Sequence, residues 1–183
     1  MMRVRNYLVA AAALAFLAVS VAEAQPGRRP RPPRPAPVKP APRPDAPPNE
    51  LMQQGNWKEA YDLLSKKTQA PAAAPLKVSE DLTNAIQCLN HLGLLDEFDA
   101  LVEKVAAAHA GNWRLLRTAA QSYLNGQHQG YITAGEFHRG WPRGGQAKYV
   151  HAYERDRVRA LQLRLQAMAK TAGEADKNAV GQF

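Results

Sequence analysis

The stretch Gln54-Gly55-Asn56-Trp57-Lys58-Glu59-Ala60-Tyr61-Asp62-Leu63-Leu64 decides the fold, because it has the pattern of a helical hairpin corner followed by a second helix. Gly55 can end the first helix in the left-handed conformation without a Cβ penalty. Asn56 is then placed to cap the next helix. From there Trp57, Ala60, Tyr61 and Leu64 recur at spacings of three and four, which predicts one apolar stripe on a helix.

Two further corners follow at a near-regular step. Gly93 lies 38 residues after Gly55, and Gly126 lies 33 residues after Gly93. Between them the sequence predicts a helix capped at Ser79 and ending at Gly93, then a second helix, and then a helix capped at Asn112 and ending at Asn125-Gly126. The predicted inward residues share the same spacing and are Leu82, Ala85, Ile86, Leu89, Leu92, Leu95, Phe98, Leu101, Val102, Val105, Trp113, Leu116, Ala119, Ala120 and Tyr123.

This stretch and this step resemble the tetratricopeptide repeat, whose period is about 34 residues. The resemblance implies an all-α solenoid of helical hairpins that binds protein or peptide partners. The surplus between Gly55 and Gly93 is explained by a break from Gln69 to Pro75, which contains Pro71 and Pro75. An irregular all-α domain is the alternative, since it would share the helices without the superhelical stacking.

The N-terminus has the pattern of a secretory signal peptide. Arg3 and Arg5 precede an apolar run from Tyr7 to Ala22, and Ala22-Glu23-Ala24 forms an A-x-A cleavage site before Gln25. The run is shorter than the roughly 20 residues that a membrane span needs. We therefore predict residues 1–24 as a cleaved signal peptide, no transmembrane span after cleavage, and a periplasmic or extracellular product. An uncleaved signal anchor is the alternative.

Residues 25–48 are predicted to be a disordered, proline-rich and basic linker. Eleven of these 24 residues are proline, and almost no large apolar residue is present, so the segment cannot form a core. It is either a plain spacer or a tether that binds an anionic envelope surface by charge. The candidate tether residues are Arg28, Arg29, Arg31, Arg34, Lys39 and Arg43. Nucleic acid is disfavoured as a partner, because export removes it and no aromatic residue is interleaved for stacking.

The helical repeat domain is predicted over residues 49–170, and its third unit departs from the pattern. Five glycines and a proline between Gly130 and Gly145 predict at most a short helix from Tyr131 to Phe137 and then a loop from His138 to Lys148. Loops with aromatic and arginine residues on a rigid scaffold are common binding sites. The candidate interaction loop comprises Tyr131, Glu136, Phe137, His138, Arg139, Trp141 and Arg143.

A long helix is predicted from Tyr149 to Lys170. Its predicted inward residues are Val150, Tyr153, Val158, Leu161, Leu165 and Met168. The charged run from Glu154 to Arg159 is predicted to be a solvated face with internal ion pairs, although Arg155 and Arg159 could instead clamp the glycine-rich loop. Residues 171–183 are predicted to be the truncated start of a further helix, with Val180 and Phe183 three apart.

The order Gly130-Tyr-Ile-x-Ala-Gly-Glu-Phe-x-Arg-Gly140, a Gly-Gly turn, and then Tyr153-Glu-Arg-Asp-Arg-Val-Arg-Ala-Leu-Gln-Leu163 is similar to the N-terminal helical region of large bacterial alpha-2-macroglobulin-like proteins. The resemblance covers residues 49–183 and implies the head of an exported, protease-trapping protein. The macroglobulin domains and the thioester motif Cys-x-Glu-Gln are missing from this sequence. A free-standing periplasmic scaffold, held at the envelope by its Arg/Pro arm, is the alternative.

No catalytic, cofactor or metal site is predicted. Glu136, His138, His151 and Asp156 are suitable groups for zinc or proton transfer, but no H-E-x-x-H or C-x-x-C spacing occurs. Cys88 is the only cysteine, so no intrachain disulfide can form, and its place in an amphipathic helix predicts a buried structural thiol. His128 is predicted to be a turn residue. The chain is accordingly predicted to be a non-enzyme.

Overall fold

A computed structural model describes residues 46–70, 74–142, 144 and 147–181. The predicted signal peptide, all six candidate tether residues, Arg143 and Phe183 lie outside the described residues. So does the predicted linker, apart from Ala46, Pro47 and Pro48 at its end. The described residues belong to the unit Lys39–Phe183.

The described chain is mostly helical, which confirms the predicted class in its coarse form, and it adds a small sheet that was not predicted. The helices are α1 Pro48–Gln53, α2 Trp57–Gln69, α3 Pro75–Leu92, α4 Phe98–Ala108, α5 Trp113–Asn125, α6 Tyr153–Ala169 and α7 Lys177–Gly181. A 3-10 turn at Leu95–Glu97 leads into α4. The strands β1 Gln129–Thr133, β2 Glu136–Arg139 and β3 Lys148–His151 lie between α5 and α6.

The first two predicted corners are confirmed at the backbone level. Gly55 and Gly93 have φ of 74° and 67°, the left-handed region that glycine enters without strain. After Gly55, the amide of Asn56 donates to the carbonyl of Leu51 at 2.8 Å, and after Gly93 the amide of Leu94 donates to Leu89 at 3.0 Å. Both corners therefore end their helix in a Schellman motif. Gly126 instead has extended backbone, because the chain leads into the sheet there.

Most of the predicted apolar stripes form the core. Ala60 and Leu64 of α2 are fully buried, as are the central residues of α3, α4 and α5. Asn112 caps α5 as predicted, because its Oδ1 accepts from the amides of Arg114 and Leu115. Cys88 is buried, also as predicted. Burial raises the pKa of its thiol to about 11, so the reactive thiolate is disfavoured at neutral pH.

One predicted helix cap and one predicted helix start are wrong, although α2 begins at Trp57 as predicted. Asn56 makes no side-chain cap to α2; it is buried and its Nδ2 donates to Gln54 Oε1 at 3.2 Å. The next helix starts at Pro75, four residues before Ser79, because a proline at the first helical position has a fixed φ that suits the helix and lacks an amide that would go unbonded.

The predicted short helix over Tyr131–Phe137 is wrong, because these residues form the hairpin of β1 and β2. The strand order is β2-β1-β3, antiparallel throughout, with Tyr131 opposite both His138 and Tyr149. Ala134 and Gly135 at the tip have φ of 52° and 85°. Two positive φ values make a turn whose twist matches the strands, so Ala134 and Gly135, which were predicted to lie in the short helix, form the turn of a hairpin instead.

The predicted helix from Tyr149 is wrong in both start and orientation. Residues 148–151 form β3, and α6 begins at Tyr153. The buried residues of α6 are Asp156, Ala160, Leu163 and Ala167. The predicted inward residues Tyr153, Val158, Leu161, Leu165 and Met168 are exposed, and Val150 lies half-buried in β3. The helix packs its small residues against α5, and the buried carboxylate of Asp156 has charged partners there. The inner face of α6 is therefore not its most apolar face, which is why the prediction chose the wrong side.

Candidate functional site

An open cavity of about 820 Å³ lies between α3 and α5. These two helices contribute one side of the cavity each, and the turn before α4 closes its far end. This volume falls within the roughly 300–1,000 Å³ usual for ligand sites. We call this cavity the α3/α5 groove.

The charged side chains that line the groove are all positive. Its lining residues include three arginines, Arg114, Arg117 and Arg139, and no aspartate or glutamate among the described residues. Five side-chain amides add donors and acceptors, at Gln87, Asn90, Gln121, Asn125 and Gln127. Leu76, Ile86, Leu95, Phe98 and Trp113 supply apolar walls. The groove therefore suits a ligand that is negatively charged and rich in peptide-like polar groups.

Three of these polar side chains are available to a ligand. The side chains of Gln87, Asn90 and Arg117 are exposed and make no hydrogen bond or ion pair with any other described residue. Arg114 and Arg139 differ, since both are already paired with carboxylates. Arg117 is accordingly the arginine of the groove best placed to meet an acidic ligand.

The C-terminal segment lies at one end of the groove. Glu174 Oε2 accepts from Trp113 Nε1 and from Arg114 Nη1, each at 2.6 Å. These bonds, the indole first, lower the pKa of Glu174 from 4.5 to about 2. Ala179 of α7 lines the groove, and Val180 packs against the core. The segment predicted to begin another helix thus folds back on the starts of α3 and α5.

The other end of the groove is held by a buried ionic cluster around Arg139. Its Nη1 and Nη2 donate to Asp156 Oδ2 and Oδ1 at 2.8 and 2.9 Å, and its Nε and Nη2 donate to Asp99 at 3.1 and 2.8 Å. Nη1 also donates to the carbonyl of Gln127. His128 Nδ1 lies 2.9 Å from Asp156 Oδ2. We call Arg139, Asp156, Asp99 and His128 the Arg139 cluster.

Burial and pairing act in opposite directions on the Arg139 cluster. Burial alone would raise the pKa of Asp156, but hydrogen bonds from Arg139 and His128 and the charge of Arg139 outweigh it and lower that pKa. Burial likewise opposes the charge of Arg139, while hydrogen bonds to Asp156 and Asp99 raise its pKa. Both groups are therefore charged at neutral pH. The Arg139 cluster joins α4, β2 and α6, so its role is structural.

The predicted interaction loop does not form one site. Phe137 and Arg139 face inward, where the guanidinium of Arg155 lies 4.0 Å from the Phe137 ring centroid. Tyr131 and His138 stack across the strands at 5.2 Å. Trp141 is exposed beside Tyr149, with ring centroids 5.9 Å apart, and Glu136 is exposed at the hairpin.

Three expectations for polar residues are corrected. Arg139, predicted as an interaction residue, is buried. Asp156, predicted on a solvated face, is fully buried, and His128, predicted as a turn residue, contacts it. Arg155 does pack on the glycine-rich hairpin through Phe137, whereas Arg159 binds Glu103 of α4 at 2.5 to 2.7 Å. The predicted pairing within the run is present between Arg155 and Asp156 and between Arg157 and Glu154, but its other partners lie 17 to 56 residues away.

The residues that line the groove were not predicted, because the prediction used the apolar residues of each helix and not the polar residues between them. Thr83, Gln87 and Asn90 recur on one side of α3, and Arg114, Arg117 and Gln121 recur on one side of α5, at spacings of three and four. Such polar stripes are also usual for solvated helix faces, so the signal was present without being decisive.

The described residues contain no group of three or more histidine, cysteine, aspartate or glutamate side chains placed to hold a metal ion. None of the helices in the described part of the chain has the length and apolar character needed to cross a membrane. Scans against protein-family models, curated proteins and solved structures found no match to this chain.

Proposed function

We propose that this chain is a non-enzymatic protein-interaction module that binds an extended acidic peptide in the α3/α5 groove. The observation that carries the proposal is the composition of the groove lining, which combines three arginines with five side-chain amides and no described carboxylate. Amide side chains can bond to the backbone of an extended peptide, and arginine pairs with carboxylates through two parallel hydrogen bonds.

Arg117 supplies the charge for ligand recognition. Because it has no partner among the described residues, a peptide carboxylate would gain a charge-assisted bond without displacing an existing one. Gln87 and Asn90 on the opposite wall are free to bond to the same peptide's backbone. Ile86, Leu95 and Phe98 between them can cover apolar side chains of the ligand.

A tetratricopeptide-like solenoid is part of the proposal. The Schellman corners at Gly55 and Gly93 support it, as does the packing of α2 against both α1 and α3 and of α5 against α6. In that arrangement α3 and α5 are the first helices of successive hairpins, and the α3/α5 groove lies between them. Helical repeat proteins use such extended concave surfaces to bind their partners.

The fuller proposal is that the module is exported and forms the N-terminal part of an alpha-2-macroglobulin-like protease-trapping protein. The sequence resemblance over residues 49–183 supports it. The alternative is a free-standing periplasmic scaffold tethered to an anionic envelope surface. The intact mass of the native product distinguishes them: a mass equal to residues 25–183 favours the scaffold, and a product several-fold heavier favours the macroglobulin-like protein.

Selection from a random dodecapeptide display library on the purified protein tests peptide binding. We expect enrichment of peptides that carry aspartate or glutamate, with affinity that falls as salt rises, since paired charges are screened. Arg117→Glu should remove the enrichment. Lys58→Glu is the matched control, because Lys58 is an exposed cation on α2 outside the groove.

Two outcomes would contradict the proposal. One is enrichment that is indifferent to charge or favours basic peptides, since the groove lining then plays no part. The other is equal binding by wild type and Arg117→Glu, which would place the peptide elsewhere. Circular dichroism of both variants checks that the helices remain folded.

A further inference from the structure

Helix α6 is apolar on two opposite sides. Its inner side, Asp156, Ala160, Leu163 and Ala167, packs in the protein. Its outer side carries Val158, Leu161, Leu165 and Met168, exposed by 53, 52, 66 and 56%. At about 100° per residue these four lie opposite the inner side. Four exposed apolar side chains in one row on a helix are unusual for a solvated face, so the outer side is a candidate contact surface.

The spacing of the outer residues identifies the shape of what fits there. Val158, Leu161, Leu165 and Met168 follow one another at three, four and three residues. This is the a/d pattern of a coiled coil, in which each side chain inserts between side chains of a second helix. We call these four residues the α6 seam. It spans about three turns, or about 15 Å, the length of one short helix contact.

The residues beside the α6 seam identify the charge of the partner. Arg157 and Arg164 occupy the flanking positions on one side, and Gln162 and Ala169 occupy those on the other. Arg157 is exposed, and its guanidinium lies 3.9 Å from the carboxylate of Glu154. Arg164 donates a long hydrogen bond of 3.3 Å to Gln121. The ion pair of Arg157 with Glu154 is long and exposed, and Arg164 has no carboxylate partner among the described residues. Flanking charges of this kind set partner choice between helices.

A second copy of this chain is a poor partner for the same reason. In an antiparallel pair of α6 helices, Leu161 would face Leu165 of the other copy, and Arg164 would then lie beside Arg164. Like charges at flanking positions are unfavourable. We propose that the α6 seam binds an amphipathic helix of another protein whose apolar stripe is flanked by acidic residues. None of the four seam residues lines the α3/α5 groove, although Arg164 beside the seam bonds to Gln121 of the groove lining. The occupant of the seam is helical rather than extended.

Binding of designed helical peptides to the purified protein tests the proposal. The probe is a 21-residue peptide with leucine and isoleucine at a and d and glutamate at e and g; a lysine-flanked peptide of the same a and d residues is its control. Fluorescence anisotropy should show the glutamate-flanked peptide binding at least tenfold more tightly. Leu161→Ser with Leu165→Ser should abolish binding, and both sites are exposed, so folding is retained and can be checked by circular dichroism.

A charge reversal makes the test independent of lost apolar contact. Arg157→Glu with Arg164→Glu should reverse the preference toward the lysine-flanked peptide. Arg117→Glu, in the groove, should leave helix-peptide binding unchanged, so failure here is distinguishable from failure of the groove proposal. Equal affinity for the two peptides, or unchanged binding by the serine variant, would overturn the proposal. So would a concentration-dependent dimer that the serine variant abolishes, because the seam would then be occupied by a second copy.

Discussion

The guanidinium of Arg139 and the carboxylate of Asp156 form two parallel hydrogen bonds of 2.8 and 2.9 Å, with side chains only 1 and 0% exposed. The two residues come from β2 and α6, and each is the other's main neutralising partner. Removing either one would leave a buried charge that water cannot reach.

Arg139→Met should therefore destabilise the protein strongly. Breaking a buried ion pair by removing one partner typically costs about 3–5 kcal/mol, and here Asp156 would lose its main partner and keep only His128 and the half-exposed Arg155. The free energy of unfolding from urea titration measures this. The double variant Arg139→Met, Asp156→Leu should recover much of the loss, since it removes both charges.

Arg157→Met is the control for this pair. Arg157 is exposed and pairs only loosely with Glu154, so its replacement should change stability by no more than about 0.5 kcal/mol. If Arg139→Met proved as mild as Arg157→Met, the Arg139 cluster would not be a stabilising centre.

The stability of the protein should fall in acid. The pKa values of Asp156 and Glu103 lie below their ordinary 3.8 and 4.5, because hydrogen bonds to arginines outweigh the cost of burial. The unfolded chain therefore takes up protons first as pH falls. The free energy of unfolding should have its full value above about pH 5. It should decrease as the pH falls through about 4 toward the lowered pKa values that Asp156 and Glu103 have in the folded protein.

Urea unfolding at several pH values between 7 and 3 measures this slope. Glu103→Gln should be less stable than wild type at pH 7, through its lost bonds to Arg159, and should lose stability less steeply in acid. Asp62→Asn, on the exposed side of α2, controls for removal of one negative charge. A Glu103→Gln slope equal to that of wild type would contradict the assigned role of Glu103.

Gly130→Ala should disrupt the sheet. An added Cβ would lie 2.5 Å from the carbonyl oxygen of His138 and 2.5 Å from Phe137 Cε2, and one of these contacts is backbone that cannot move aside. Overpacking of this kind costs about 1–3 kcal/mol. Gly111→Ala is the matched control, since nothing lies within 4 Å of its added Cβ. The free energy of unfolding of Gly111→Ala should exceed that of wild type by about 0.4–1 kcal/mol.

Thermal unfolding of the two alanine variants measures the difference. Equal melting temperatures for Gly130→Ala and Gly111→Ala would mean that β1 and β2 do not approach each other closely at Gly130.

Glu174→Gln should loosen the C-terminal segment from the groove. The carboxylate of Glu174 binds both the indole of Trp113 and the guanidinium of Arg114, and the amide side chain lacks the charge that strengthens both bonds. The Trp113 indole N–H resonance should shift at pH 7, and amides of Lys177–Gly181 should exchange faster. In wild type the indole resonance should stay unchanged as pH falls through 4.5, because the pKa of Glu174 is about 2.

Lys177→Gln, an exposed change in the same segment, provides the comparison. An indole shift in Lys177→Gln as large as that in Glu174→Gln would show that the resonance reports on the segment generally rather than on the Glu174 bond.

The helices and their corners were predictable because their signals are local. Gly55 and Gly93 end their helices within five residues, and the stripes of α2 to α5 follow from spacings of three and four. The inner side of α6 was not predictable in this way. Its apolar residues lie mostly on the seam, and its inner side depends on Asp156, whose partners Arg139 and His128 lie 17 and 28 residues away.

The sheet and the groove were missed for different physical reasons. The glycines from Gly130 to Gly145 were interpreted as a short helix followed by a loop, whereas Ala134-Gly135 forms a hairpin tip and Gly130 permits close approach of strands. The groove is lined by polar residues from two helices that are 38 residues apart at Thr83 and Gln121, and no local pattern joins them. The candidate site therefore depends on tertiary packing that sequence spacing does not encode.

The three strands lie within residues 126–152, a connection of 27 residues between α5 and α6 where a helical hairpin ordinarily has a turn of a few residues. Loop-closure entropy grows only with the logarithm of length, at about 0.6 kcal/mol per doubling, so this longer connection costs only about 2 kcal/mol. It is nevertheless not an independent insertion. Arg139 and His128, which neutralise Asp156 inside the helical core, both belong to it. Replacing the sheet by a short turn would therefore require a change at Asp156 as well, and the two parts of the chain are constrained to vary together.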